Sequence, residues 1–354
     1  MSNGEIPALV IVGGFLGSGK TTLILKAADL LRRQGKRAAA ILNDQDAGLV
    51  DTEHVLARQI MAREVADGCL CCRFSQFIAM AAQLAAHRPD VIFAEPVGSC
   101  IDLNATVLRP IQTLYADRLR LAPLSVLLDP ATASRLPDET LDSDIRYLVN
   151  HQLAEADLIC TTKEDLHPSQ VELPIPIDFR LSGKTGLGVE DWLNEVMTPT
   201  RIIGARLLDL DYARYAEAEA ALGWLNLHAR VDLTSPLAPA LICGPVLDAL
   251  EHALTNAGIF IAHLKVFDRA GGAWVKASVC ANGAEPIAEG DLFADAATQH
   301  ELALNLRALA GPEHCKDIVL AALKQIDGTV RIQHLKSFRP LPPKPEHRVS
   351  SALA

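Results

Sequence analysis

The chain has 354 residues, of which 49% are hydrophobic and 21% charged, and a formal net charge of −10. That length allows about two domains with ample cores; the acidic balance leaves no basic stripe for nucleic acid, and no apolar run approaches the ~20 residues of a membrane span. Met1-Ser2-Asn3-Gly4-Glu5 carries no positive segment, and three of the eight cysteines crowd at 69, 71 and 72, unlike a disulfide framework; the expectation is a cytoplasmic protein with reduced thiols.

Ala8-Leu9-Val10-Ile11-Val12 reads as a buried strand. It runs into Gly14-Phe15-Leu16-Gly17-Ser18-Gly19-Lys20-Thr21, which fits G-x-x-x-x-G-K-[ST] without a mismatch. From Thr22 a helix follows, with Leu23, Ala27, Leu30 and Leu31 on one face. In this strand, loop and helix context, Gly14, Gly17, Ser18, Gly19 and Thr22 are candidate phosphate-cradling residues. Lys20 is the candidate to reach β- and γ-phosphates, and the Thr21 hydroxyl the candidate Mg²⁺ ligand. A plain glycine turn accounts for the glycines but not for the Lys-Thr pair.

Further strands are predicted at 37–43, 91–95, 124–129, 158–162 and 177–182, alternating with helices such as 76–86. The pattern implies a doubly wound parallel sheet over residues 1–197. Glu95 closes an apolar strand, where such a fold holds Mg²⁺, and Gly98 in the next loop offers an N–H to the γ-phosphate. Gly68-Cys69-Leu70-Cys71-Cys72 concentrates three soft thiol ligands suited to Zn²⁺ or Co²⁺; inert thiols or a redox pair are the alternatives. Their fourth partner is a water, a carboxylate or a distant thiol. Cys100 reads as a buried cysteine, with a fourth thiolate as its second reading.

At the end of the 158–162 strand, Thr162-Lys163-Glu164-Asp165 has the form T-K-x-D. One carboxylate, Asp165, would accept the N1–H and N2–H of guanine, which adenine does not offer, while the Lys163 stem would cover the base. Ser182, in Leu181-Ser182-Gly183-Lys184, would close that pocket. GTP is therefore expected over ATP.

Residues 198–221 read as a connecting segment. From 222 to 338 the pattern changes to α+β: a half-buried strand through Leu225, Leu227, Ala229 and Val231, a helix at 245–256, strands at 259–267 and 273–280, a helix at 312–326 and a strand at 330–338. Residues 301–310 have helical propensity, but a further strand suits the order. His228 and His334 are placed on strands that can be neighbours. The Pro-rich tail, 339–354, reads as an exposed, partly disordered extension.

The order of Gly13-Gly14 to Thr21-Thr22, the Cys-x-Cys-Cys loop, Glu95 with Gly98, and Thr162-Lys163-x-Asp165 resembles the CobW-like family of P-loop GTPases. The resemblance covers roughly the first 195 residues and implies a GTP-hydrolysing metallochaperone that delivers a transition metal to a client protein or cofactor pathway. It also implies a switch loop over 43–51. The chain departs from the family in Pro96, in Thr162 for the usual Asn, and in Asp44-Gln45-Asp46. Lys20 and Thr21 are expected to carry catalysis by positioning and charge neutralisation, with Asp44 and Glu95 as candidates for orienting water. A nucleotide-gated metal sensor and a P-loop small-molecule kinase are the alternative readings.

Overall fold

The computed structural model describes residues 6–46, 50–137, 141–166 and 175–350. It divides into two compact units, and the division is not contiguous. Met1–Gln45, Arg58–Ala218 and Pro342–Ala354 form the first; Asp46–Ala57 and Glu219–Leu341 form the second. The expected boundaries at 197, 221 and 338 therefore differ in two places: a segment near residue 50 belongs with the second unit, and the tail with the first.

Among the described residues of the first unit, eight strands form one sheet: β1 (Ala8–Gly14), β2 (Ala38–Asn43), β3 (Met61–Val65), β4 (Val91–Glu95), β5 (Arg120–Leu121), β6 (Ser125–Leu128), β7 (Leu158–Thr161) and β8 (Phe179–Arg180). The order β3-β2-β4-β1-β6-β7-β8, with β5 also on β1, is parallel throughout. β3 and β5 carry no strong run of apolar residues, which is why sequence periodicity misses them. Val10, Ile11, Phe93 and Ile92 are fully buried, as a sheet covered on both faces requires. Trp192, on the helix Val189–Met197, stacks near Phe93 and donates its indole N–H to the Ser125 hydroxyl at 2.9 Å. Connections leave β1 toward both edges, so the crevice at a topological switch point opens beyond its carboxyl end.

The second unit is an antiparallel sheet of β9 (Gly223–Leu237), β10 (Ile261–Ala270), β11 (Ala273–Val279), β12 (Ile287–Gly290), β13 (Ala297–Ala308) and β14 (Gly328–Phe338), in the order β12-β11-β10-β13-β9-β14. Leu225, Leu227, Leu264, Val266, Leu304 and Leu306 point to one face and pack with Leu247, Leu250 and Val319 of the helices Ala240–Asn256 and Pro312–Leu323. In β13, packing of Leu302, Leu304 and Leu306 on the helix-covered face prevails over local helical propensity, as the further-strand reading expected. His228 and His334 are indeed paired across β9 and β14.

Within the second unit, the stretch through the helix Val50–Ala57 meets polar side chains of the sheet. Asp51 pairs with Lys265 at 2.5 Å, Glu53 with Arg269 at 3.0 Å, and the Val50 N–H donates to Asn305 Oδ1 at 2.8 Å. Asp46 accepts from His334 at 2.9 Å and Lys336 at 3.0 Å. The expected switch loop of 43–51 is thus shared: Asn43 ends β2, whereas Asp46, Val50 and Asp51 are held by the second sheet. Residues 47–49 of that expectation lie outside the described residues.

The tail also departs from expectation. Val349 N–H donates to Ala105 O at 2.9 Å, Arg348 Nε donates to Asp102 at 2.8 Å, and the Ser75 N–H donates to Glu346 at 3.0 Å. Backbone donors and a charged pair, which composition does not reveal, hold residues 344–349 against the first unit.

Candidate functional site

The loop after β1 takes its shape from glycine. Gly14, Gly17 and Gly19 have φ of 128°, 76° and 90°, and a Cβ on Gly14 would stand 2.4 Å from the Leu127 carbonyl oxygen. The helix Lys20–Arg33 begins directly behind them, with the positive end of its dipole at the loop. Lys20 is buried, and its ammonium donates to Gly14 O at 3.0 Å and Phe15 O at 3.3 Å, with Glu95 at 3.9 Å. The Thr21 hydroxyl donates to Glu95 Oε2 at 2.8 Å. Ser18 Oγ is buried with no hydrogen-bond partner, a polar atom placed to meet a ligand's oxygens. Gly98 sits so close to the loop that a Cβ would lie 2.7 Å from the Leu16 side chain.

Thr162, which stands where Asn is usual, donates its hydroxyl to Ser18 O at 2.8 Å and so ties the T-K-x-D segment to the glycine loop. Lys163 has φ 58°, a left-handed backbone that is uncommon outside glycine, and its ammonium pairs with Asp129 at 2.5 Å. Asp165 is exposed and receives the Ser182 hydroxyl at 2.6 Å; the Thr185 N–H donates to the same hydroxyl at 3.0 Å. A Cβ on Gly183 would be 3.0 Å from Thr22, so this loop closes on the start of the helix. The structure thus brings the glycine loop, Glu95, Gly98, Thr162, Lys163, Asp165 and Ser182 into one neighbourhood, and Asp44 follows β2, whose Leu42 pairs with Glu95. Asp44 is buried, accepts from the Gln45 N–H at 2.6 Å and donates its own N–H to Val65 O at 3.2 Å.

Cys69, Cys71 and Cys72 converge, with sulfur separations of 2.7 Å, 3.1 Å and 3.8 Å. Among the described residues they form the one group of three or more Cys, His, Asp or Glu whose ligand atoms lie within 4.8 Å of one another. None of the eight cysteines is in a disulfide. Hydrogen bonds with Cys100, Cys71 and Cys72 hold the Cys69 pKa well below the usual thiol range. The contacts with Cys69 push Cys71 up, and Cys72 up to about 12. Three clustered sulfurs, one of them much more acidic than the others, are a donor arrangement suited to a soft cation.

Sequence reasoning overlooked the residue that organises this loop. Asn43 Nδ2 donates to Val65 O at 2.9 Å and Gly68 O at 2.7 Å, while its Oδ1 accepts from Leu70 at 2.9 Å and Val97 at 3.4 Å. One carboxamide at the end of β2 therefore ties the thiol loop to the loop between Glu95 and Gly98. Gln152 donates to Gly98 O and Cys100 O, both at 3.0 Å, and steadies the far side. An amide at a strand terminus gave no motif-level signal.

Residues 8–174 match the family described as CobW/HypB/UreG, nucleotide-binding domain. That match covers a little under half of the chain, and over it the chain is similar to the CobW-like family of P-loop GTPases. A protein named zinc chaperone CobW from Sinorhizobium sp is 32% identical over 47% of this chain and 52% of its own length. One of the same name from Pseudomonas aeruginosa is 30% identical over 51% of this chain and 62% of its own. The chain thus spans little more than half the length of these curated relatives. Among solved structures, the hydrogenase maturation factor HypB from Archaeoglobus fulgidus is similar over 53% of this chain and 87% of that one, at 18% identity and a TM-score of 0.39. Among the described residues, no helix is long and apolar enough to cross a membrane.

Proposed function

We propose that this CobW-like protein is a cytoplasmic, GTP-hydrolysing metallochaperone that takes Zn²⁺, or Co²⁺, on its thiol loop and delivers it to a client protein or cofactor pathway. The observation that carries the reading is the Asn43 bridge, because it joins the three-thiol cluster to the loop bearing Glu95 and Gly98. A γ-phosphate orders loops at this position in P-loop proteins and releases them on hydrolysis. The names of the two curated relatives support zinc as cargo.

Thr21 and Glu95 would hold Mg²⁺, which neutralises charge on the transferring phosphoryl group when bound. The donor set fits: a hydroxyl and a carboxylate face each other beside an ammonium, all buried. Lys20 now bonded to loop carbonyls would exchange them for phosphate oxygens. Asp165, held by Ser182, would select guanine, and Lys163 would cover the base. No nucleic-acid or membrane partner belongs to this reading.

The test measures Zn²⁺ affinity by chelator competition with GDP and with a non-hydrolysable GTP analogue, beside multiple-turnover GTP hydrolysis. Linkage makes any effect of nucleotide on metal reciprocal, with a coupling of ~1–3 kcal/mol, about 5- to 150-fold. Equal zinc affinity in both states together with absent hydrolysis would sink the proposal. Hydrolysis and coupling without zinc transfer to an apo-acceptor would favour a sensor instead.

A further inference from the structure

Access to the three thiols is uneven. Cys69 and Cys71 are 2% and 1% exposed, and Cys72 alone of the trio is half-buried. An incoming ligand therefore meets the cluster on the side of Cys72, and that side is covered by a segment from 272 residues further along the chain. The Lys344 N–H donates to Cys72 Sγ at 3.1 Å, and the Glu346 N–H donates to Cys71 O at 3.0 Å. Resting on the metallochaperone reading, we propose that residues 344–349 form a detachable strap across the thiol loop, which has to lift for the metal to enter or leave.

Complementary charge seats the strap. The helix Phe74–Ala85 begins directly after the thiol loop, and Arg73 at its N-cap position provides no side-chain cap. Glu346 supplies that cap from outside. Its carboxylate accepts the Ser75 N–H at 3.0 Å and the Ser75 hydroxyl, which places negative charge at the positive end of the helix dipole. Two residues on, Arg348 Nε donates to Asp102 at 2.8 Å, another guanidinium nitrogen donates to Leu208 O at 3.1 Å, and the group lies 5.6 Å from the centre of the Tyr212 ring. The His347 ring meets Phe74 edge-on at 5.0 Å, and the Val349 N–H donates to Ala105 O at 2.9 Å. Backbone donors at 344, 346 and 349, with charged anchors at 346 and 348, are the contacts of an extended peptide laid along a surface.

The same segment is lightly held. Lys344, Glu346, His347 and Arg348 are exposed, Pro345 and Val349 are half-buried, and none of the six is buried. Lifting it gives up little apolar burial and exchanges surface hydrogen bonds for bonds to water, at small net cost. β4, by contrast, is buried at all five of its positions. Pro343, just before the strap, is buried, and its ring fixes the backbone there, so it is a firm point from which the strap can swing.

Zinc exchange with an acceptor then proceeds at the Cys72 side, and each sulfur that leaves the metal takes up a proton from solvent. A cover on that side slows loading and release together, because one barrier serves both directions.

The full chain carrying Glu346→Ala and Arg348→Ala tests this, with unchanged GDP affinity reporting an intact nucleotide domain. Zinc loading, and zinc release to a chelator, are followed by stopped flow. Both are expected to quicken about tenfold, while their ratio, the equilibrium affinity, moves by much less. In the zinc-free variant, iodoacetamide should alkylate Cys72 faster than in the native chain. Native rates for both zinc and iodoacetamide would overturn the strap. So would a tenfold faster release with loading unchanged, because the segment then only stabilises the bound state. Should the double variant fail to fold, amide hydrogen exchange of the native protein decides: residues 344–349 should exchange far faster than β4, and protection equal to that of β4 would overturn the proposal. A native protein that binds no zinc would instead reject the metallochaperone reading, and faster alkylation in the variant would still show the cover over Cys72.

Discussion

The Asn43 carboxamide oxygen accepts the Leu70 N–H at 2.9 Å, and through this bond the end of a central strand holds the loop of Cys69, Cys71 and Cys72. Strand ends in parallel sheets are rigid, so the bond confers the sheet's order on a short thiol loop.

Asn43→Ala should leave the Val65, Gly68, Leu70 and Val97 backbone groups to find other partners, at a cost of ~1–3 kcal/mol for those that stay buried. Zinc affinity is expected to fall about tenfold, with GDP binding little changed. Isothermal titration with each ligand reads both; undiminished zinc affinity means that the loop orders itself.

Removal of residues 342–354 should expose the thiol loop. The Lys344 N–H donates to Cys72 Sγ, the Glu346 N–H donates to Cys71 O at 3.0 Å, and Cys72 is already half-buried rather than buried. Faster alkylation of Cys72 by iodoacetamide is expected in the shortened chain, resolved by peptide mass spectrometry. Equal rates in the two chains would mean that the tail gives Cys72 no cover.

Asp165→Asn should weaken GTP binding and favour a xanthine nucleotide. The amide accepts one guanine donor where the carboxylate accepts two, and its N–H₂ meets the added xanthine carbonyl. Sites built for a hydrogen-bonding partner discriminate by about 10⁴ or more. Competition between GTP, XTP and ATP measures the change. Native protein that binds ATP as tightly as GTP contradicts the role of Asp165.

Glu155→Gln tests a buried acid. Burial pushes the Glu155 pKa up to about 8; the Asn104 N–H, donating at 3.1 Å, pulls it down, and the nearby Asp102 charge adds to the rise. Glu155 Oε1 and Asp102 Oδ1 are both buried without a hydrogen-bond partner, so a proton on Glu155 relieves their repulsion. The folded state then keeps a proton that the unfolded chain gives up at about pH 4.3. Stability contributed by that proton is complete below the unfolded value and is lost as pH rises toward 8, where both states are ionised. An uncharged amide at this position has no such loss. Urea unfolding should find the variant close to native at pH 4 and more stable than native at pH 9, by on the order of 5 kcal/mol. A stability difference that does not vary with pH would show Glu155 to be ionised throughout.

The nucleotide loop was legible in the residues because its geometry is local. Gly14, Gly17 and Gly19 adopt positive φ within one turn of chain, and Lys20 and Thr21 follow at the first helical positions, so spacing alone states the arrangement. Alternation of apolar strands with helices was legible for the same reason, since burial on both faces leaves uninterrupted apolar runs. The short β3 and the polar segment through Asp51 left no such trace.

Groups brought together from distant parts of the chain are another matter. Cys100 against Cys69, Asn43 between Leu70 and Val97, the tail's Lys344 over Cys72, and Asp51 on Lys265 are meetings of single donors and acceptors. A hydrogen bond or ion pair asks only for one polar atom at one place, which imposes no period and no composition on the residues around it. Motif and pattern therefore identify the nucleotide loop of the first half, and packing of loops at the sheet's carboxyl edge decides which thiols meet and what holds them there.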